Sequence, residues 1–288
     1  MMVRQPDGFL TAMDGAEIPY RAWGDERSKH ALVLLHGAGS HSYWYEALAQ
    51  GLLKEGVATL AVDQRGFGFT AGPRGHSPRF SPYLDDCAVA LSVASARWPL
   101  ASVALAGHSF GGLVALRYCL DRAEKRGLAP SRLVLMAPWI KDQLPIRKRK
   151  IVEGVVRSVT APTHTYPVPI SVHETGDPEN AEALAAVDAD PHWVHELSGR
   201  WFVVTQRAKL GIMRQVRSLR LPILQVEAGQ DALIEADTNR RLFARIGSVQ
   251  KRLLVLPGFY HDMELQRDLD PLVACIVEFL ARNFTAVA

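Results

Sequence analysis

The segment Val103-Ala104-Leu105-Ala106-Gly107-His108-Ser109-Phe110-Gly111-Gly112 decides how the rest of the chain is read. A short apolar run of strand character ends in G-x-S-x-G, and a stretch of helix length, Phe110 to Arg126, follows at once. A strand that turns this sharply into a helix holds its serine in a strained backbone conformation. Side chains two residues to either side would collide, so Gly107 and Gly111 must lack Cβ atoms, while Gly112 lets the helix pack closely behind. Ser109 then meets backbone amides and the positive end of the helix dipole, surroundings that stabilise an oxyanion. It is the candidate nucleophile, and an incidental glycine-rich turn is the competing reading.

Working outward, the apolar runs alternate with helix-length segments. Phe9 to Met13, the turn pair Asp14-Gly15, and Ala16 to Trp23 predict an opening β-hairpin. The runs Leu32–Leu35, Val57–Val62, Val103–Ala106, Leu133–Met136, Ile223–Val226 and Leu253–Leu256 read as parallel strands covered on both faces. Between them Trp44–Lys54, Tyr83–Arg97, Phe110–Arg126, Thr238–Ile246 and Leu269–Phe284 read as helices. The pattern predicts an α/β fold, a mostly parallel sheet with helices on both faces. Residues 138–208 break the alternation and read as an inserted cap, leaving 1–137 and 209–288 as the core. No internal repeat or low-complexity tract is present.

The remaining site residues come from loops after strand C-termini, where open α/β sheets carry their sites. His36-Gly37-Ala38-Gly39 follows the strand at Leu32–Leu35 and is small enough for amides to approach a carbonyl. The amides of Ala38 and Phe110 are the expected oxyanion donors, and His36 braces the loop. His261, just past the last strand, is the expected base. His30, His41, His76, His164, His173, His192 and His195 fall before strands, in loops or in the cap, and are read as surface or hydrogen-bonding residues. Asp231 in Ala228-Gly229-Gln230-Asp231 is the expected orienting carboxylate, with Glu227 and Asp262 as competitors. The chain order Ser109, Asp231, His261 is that of the α/β-hydrolase triad.

These motifs, with Asp63-Gln64-Arg65-Gly66-Phe67-Gly68 and Phe259 to Asp268, make the chain resemble the α/β-hydrolases, within them the monoacylglycerol lipase, lysophospholipase and serine aminopeptidase-like group. The resemblance implies hydrolysis of carboxylic esters through an acyl-enzyme on Ser109, oriented by Asp231 and His261. It also implies a small-molecule ester substrate of monoacylglycerol or lysophospholipid type. A short-chain carboxylesterase, an acyltransferase with the same triad, and an inert ligand-binding protein of this fold are the alternatives. The chain departs from the group at Phe110, where methionine is common, and at Gln64-Arg65; both departures are expected to bear on the acyl pocket.

Composition sets outer bounds. A chain of 288 residues, 48% hydrophobic and 22% charged, buries roughly 75% of its unfolded surface on folding. A formal net charge of +3 argues against nucleic acid as partner. Cys87, Cys119 and Cys275 are few, distant and set in apolar runs, so neither disulfides nor a metal site is expected. No cofactor or metal is expected, and the absence of a signal-like or membrane-spanning run predicts a cytoplasmic, soluble protein. In the cap, Ile151, Val152, Val155, Val156 and Val159 recur at helical spacing beside Arg147–Lys150. A helix packed on its own domain is preferred there over a lid making transient contact with a membrane surface. Trp139, Trp193, Trp201 and Phe202 are expected to form cap core.

Overall fold

Each apolar run read as a strand forms one. A computed structural model describes residues 4–123, 128–143 and 148–282, the side chains of residues 148–152 excepted. Its strands are β1 (Gly8–Thr11), β2 (Glu17–Trp23), β3 (His30–Leu35), β4 (Val57–Val62), β5 (Ser102–His108), β6 (Leu133–Met136), β7 (Thr165–Pro167), β8 (Glu196–Ser198), β9 (Ile223–Gln230) and β10 (Lys251–Tyr260). The main sheet has eight strands in the order β1-β2-β4-β3-β5-β6-β9-β10. β1 pairs with β2, and β2 with β4, antiparallel; the other pairings are parallel. This is the α/β-hydrolase fold.

Side-chain alternation splits the core into two layers. Ala31, Val33 and Leu35 of β3 join the cluster containing helices Ser81–Arg97 and Phe110–Asp121. Leu32 and Leu34 join the opposite cluster with helices Glu46–Lys54 and Asp270–Ala281. With both faces covered, β3 and β4 are apolar throughout except for His30 and Thr59, as parallel strands between helix layers require. The chain leaves β3 toward β4, then returns to place β5 on the other side of β3. The C-terminal ends of β3 and β5 therefore flank a switch point, where a crevice opens.

Between β6 and β9 no described residue joins the main sheet as a strand, and an isolated bridge links Asp142 to Ile234 just past β9. Helices Lys148–Thr160, Val172–Thr175, Ala181–Asp188 and Gly199–Lys209 fill the segment, with the antiparallel ribbon β7-β8. Sequence reading gave no strand here because three-residue strands are too short to display a period of two. The segment is tied to the core through Val194 N–H to Gly39 O at 2.9 Å and Ser198 N–H to Gly75 O at 2.9 Å.

The helix Lys148–Thr160 packs on its own domain as expected, Gly154 lying against Gly199 of the helix Gly199–Lys209 with Ser158 buried, but the valines are not the packed face: Val155, Val156 and Val159 are 48%, 55% and 76% exposed. Arg147 lies outside the described residues, as do the side chains of Lys148, Arg149, Lys150, Ile151 and Val152. The three cysteines are buried and free. Among the described residues no helix is long and apolar enough to cross a membrane.

Candidate active site

Ser109 leaves β5 with φ 50° and ψ −112°, a positive φ that costs a non-glycine residue of order 1–3 kcal/mol. The surroundings hold it there: Ser109 N–H donates to Met136 O and Trp139 N–H to Ser109 O, both at 2.9 Å. A Cβ on Gly107 would lie 2.2 Å from Gly111 O, and one on Gly111 would lie 2.2 Å from Leu35 O. Both positions must therefore be glycine, Gly107 because of the elbow itself and Gly111 because of the end of β3.

The register of β9 with β10 brings the other two residues together. After an irregularity between Leu256 and Tyr260, the last ladder pair is Gln230 with Tyr260, so Asp231 and His261 leave the sheet side by side. His261 Nδ1 lies 2.9 Å from Asp231 Oδ2, and His261 Nε2 lies 3.0 Å from Ser109 Oγ. A carboxylate only accepts, so Nδ1 carries the proton and the Nε2 lone pair faces the serine hydroxyl. Asp231 Oδ1 accepts from the amides of Leu233 at 2.9 Å and Ile234 at 2.8 Å, which fixes the carboxylate plane.

Charge follows this geometry. Burial works against a charged His261, but the Asp231 charge and hydrogen bond, with Asp262 and Glu264 behind, push its pKa up to about 9. Burial alone would raise Asp231; the His261 charge and the two amide donors carry it below the ordinary aspartate value. The competing carboxylates are engaged elsewhere. Glu227 binds Arg240 Nε at 3.1 Å and Gln225 Nε2 at 3.1 Å, and Asp262 accepts from Thr175 Oγ1 at 2.5 Å. His36 donates from Nδ1 to Gly37 O and accepts Gln64 N–H at Nε2, at 2.7 and 2.8 Å, so it braces its loop.

Among the described residues, neither the Ala38 nor the Phe110 amide makes a backbone hydrogen bond. Phe110 is the first residue of its helix, where amides lack intrahelical partners. Ala38, Ser109 and His261 open on one cavity of about 900 Å³, walled mainly by apolar side chains. Trp139, Trp193 and Phe202 line it, Trp139 and Trp193 also packing against the core through Trp201 and Trp44; Trp201 itself is fully buried against Phe110 and Tyr83. The Phe110 side chain packs among Phe67, Phe80, Tyr83 and Trp201, and neither it nor Gln64 or Arg65 reaches the cavity. The two departures from the family pattern therefore leave the pocket wall untouched.

Sequence reading assigned nothing to His108, Tyr45 and Glu264, which the fold buries beneath His261. Their mutual contacts join distant loops, and no motif spacing signals them. His108, His261 and Asp262 hold ligand-type atoms within 4.8 Å of one another, the geometry of a metal trio. Their ring nitrogens are already engaged, those of His108 by Tyr45 and His261 O and those of His261 by Asp231 and Ser109.

Comparison with known proteins agrees with this architecture. The monoacylglycerol lipase of Mycolicibacterium smegmatis is 28% identical over 94% of this chain and 96% of its own length. An uncharacterized abhydrolase domain-containing protein of Dictyostelium discoideum is 26% identical over 94% of this chain, which spans 28% of that longer protein. The crystal structure of a soluble variant of monoglyceride lipase from Saccharomyces cerevisiae, in complex with a substrate analog, superposes with a TM-score of 0.83. That match covers 98% of this chain and 97% of the other at 18% identity. Residues 26–268 match the serine aminopeptidase, S33, family, and the chain belongs to that family of α/β-hydrolases.

Proposed function

We propose that the protein hydrolyses carboxylic esters of uncharged, hydroxyl-bearing alcohols, acylglycerols of the monoacylglycerol type above all, through an acyl-enzyme on Ser109. The observation that carries the reading is the Ser109 Oγ–His261 Nε2 contact of 3.0 Å at the floor of an apolar cavity. Ser109 attacks the acyl carbonyl as His261 takes its proton, and the Ala38 and Phe110 amides receive the oxyanion. His261 then protonates the leaving alcohol, and a water activated by the same imidazole releases the acid. Asp231 holds the tautomer and stabilises the imidazolium. Residues 138–208 act as the cap over this cavity, and its apolar wall suits a long acyl chain.

The lining supports an uncharged headgroup. Asp142, Glu174 and Asp262 face the cavity, and among the described residues no lysine or arginine lines it. Carboxylates accept hydrogen bonds from glycerol hydroxyls, whereas a phosphate-bearing alcohol would meet like charge on a lining with no described lysine or arginine, Lys209 standing behind Trp139 and Asp142. In a panel of short p-nitrophenyl esters, long-chain monoacylglycerols and lysophospholipids of matched chain, kcat/KM is expected to peak at long-chain monoacylglycerols and to fall at least about tenfold for the phosphate-bearing substrates. A maximum at short esters would instead indicate a general carboxylesterase. Added alcohol acceptors separate hydrolysis from acyl transfer by the product formed.

A pH dependence follows from the base. Nε2 must be unprotonated to accept the serine proton, so kcat/KM falls as pH drops through the His261 pKa. With that pKa raised to about 9, kcat/KM is expected to climb from neutral pH into the alkaline range. A profile already flat at about pH 6, near the ordinary histidine value, would contradict the assigned charge environment.

A further inference from the structure

We propose that Glu264, with His108 and Tyr45, forms a buried one-proton cluster that positions His261 and the oxyanion loop and whose charge governs how readily His261 accepts the serine proton. This rests on the assignment of His261 as the base of Ser109.

Hydrogen-bond accounting supplies the argument. His108 Nε2 lies 2.8 Å from the backbone oxygen of His261, and a carbonyl only accepts, so Nε2 carries a proton. In a neutral ring Nδ1 is then an acceptor. It lies 2.7 Å from Tyr45 Oη, which also accepts the Gly37 amide proton at 3.1 Å, so the single hydroxyl proton of Tyr45 points to His108. Glu264 Oε2 stands 3.4 Å from the same Nδ1 and beside the same Tyr45 hydroxyl; with that one proton committed to His108, the fully enclosed carboxyl oxygen is left without a donor. Its other oxygen has the Ser40 hydroxyl at 3.4 Å. With Glu264 ionised and His108 neutral, two lone pairs confront each other in a site shielded from water. One added proton resolves the conflict.

Burial decides where that proton rests, because both groups lose hydration when charged. It pushes Glu264 up to about 7 and His108 down to about 4, placing the proton on the carboxyl. The other ionisable groups facing the cluster are His261, Asp262 and Asp231 from the strand ends and His36 from the oxyanion loop, the last held neutral by burial. Glu264 thus gains and loses its proton near neutrality, and its negative charge favours the protonated form of His261. The same three side chains reach three parts of the site: the His261 carbonyl, the Gly37 amide beside Ala38, and Ser40 on the cavity wall. Glu264 is a positioning residue, acting through His108 and through its charge.

The test compares kcat/KM against pH for a p-nitrophenyl ester in the full chain, Glu264→Gln and Tyr45→Phe, with the carboxyl followed by difference infrared spectroscopy. Glu264→Gln keeps the side-chain shape and removes the charge, so the acid limb should move to lower pH by about half a unit or more. The unmodified protein should show a protonated-carboxyl band that titrates near neutrality, is shifted by Tyr45→Phe and is absent from Glu264→Gln. A merely structural role would lower activity without moving the limb. Superimposable profiles overturn the proposal. If Glu264→Gln does not fold, the infrared titration decides, and the absence of a carboxyl titrating near neutrality overturns it. Fluorophosphonate labelling separates this failure from that of the underlying reading: label on Ser109 with an unmoved limb rejects the role of Glu264 alone, whereas label elsewhere rejects the site assignment itself.

Discussion

Ser109→Ala is expected to lose about 10⁶-fold of kcat while the protein stays folded. The substitution keeps Cβ and removes the one oxygen that faces His261 Nε2, at 3.0 Å. Alanine accepts the strained φ of 50° no worse than serine, and the flanking bonds of the elbow to Met136 and Trp139 are backbone to backbone. The thermal midpoint should therefore stay close to that of the unmodified protein, which separates lost chemistry from lost structure. His261→Ala is expected to cost a comparable factor, because the pair acts as a unit. Steady-state turnover of a p-nitrophenyl ester, with fluorophosphonate labelling of the same preparations, reads both. Retained turnover in purified Ser109→Ala protein would remove Ser109 from the mechanism.

The second large effect belongs to Asp231→Asn, for which a loss of about 10⁴-fold in kcat is expected, with a smaller change in KM. The local hydrogen bonds dictate the direction. Asp231 Oδ1 is held by the amides of Leu233 and Ile234, so the asparagine oxygen must take that place and its NH₂ must replace Oδ2. A donor then faces His261 Nδ1, which turns acceptor, and the ring proton moves to Nε2. Ser109 meets an N–H where it needs a lone pair. Removing the aspartate charge also withdraws the main support for the raised pKa of His261, so residual activity should have its acid limb at lower pH. Activity within about tenfold of the unmodified enzyme would show that Asp231 does not orient the base.

These effects concern residues that could be found in the sequence because each belongs to a short-range pattern. Ser109 lies between two glycines that a turn this sharp demands: a Cβ on Gly107 would lie 2.2 Å from Gly111 O within the turn, and one on Gly111 would lie 2.2 Å from Leu35 O of β3. Asp231 and His261 each follow an apolar strand, and strand ends in a parallel sheet point the same way, so the loops were identifiable before their pairing was known. The segment between β6 and β9 was legible only as an interruption. Its ribbon is too short to show a period, and Val155, Val156 and Val159 kept helical spacing without being buried, because spacing records which residues share a face and not what covers that face.

The sequence by itself determined the α/β architecture, the elbow and the chain order of serine, aspartate and histidine, since these rest on periodicity and on contacts between near neighbours. Tertiary structure alone decided that Gln230 pairs with Tyr260 and so delivers Asp231 to His261 Nδ1. It also decided that the cavity presents carboxylates without a described cation, and that Tyr45, His108 and Glu264 meet beneath the base. Register, cavity charge and buried clusters are made by residues from separate loops. Their proximity depends on how sheet and helices pack, and no local pattern encodes it.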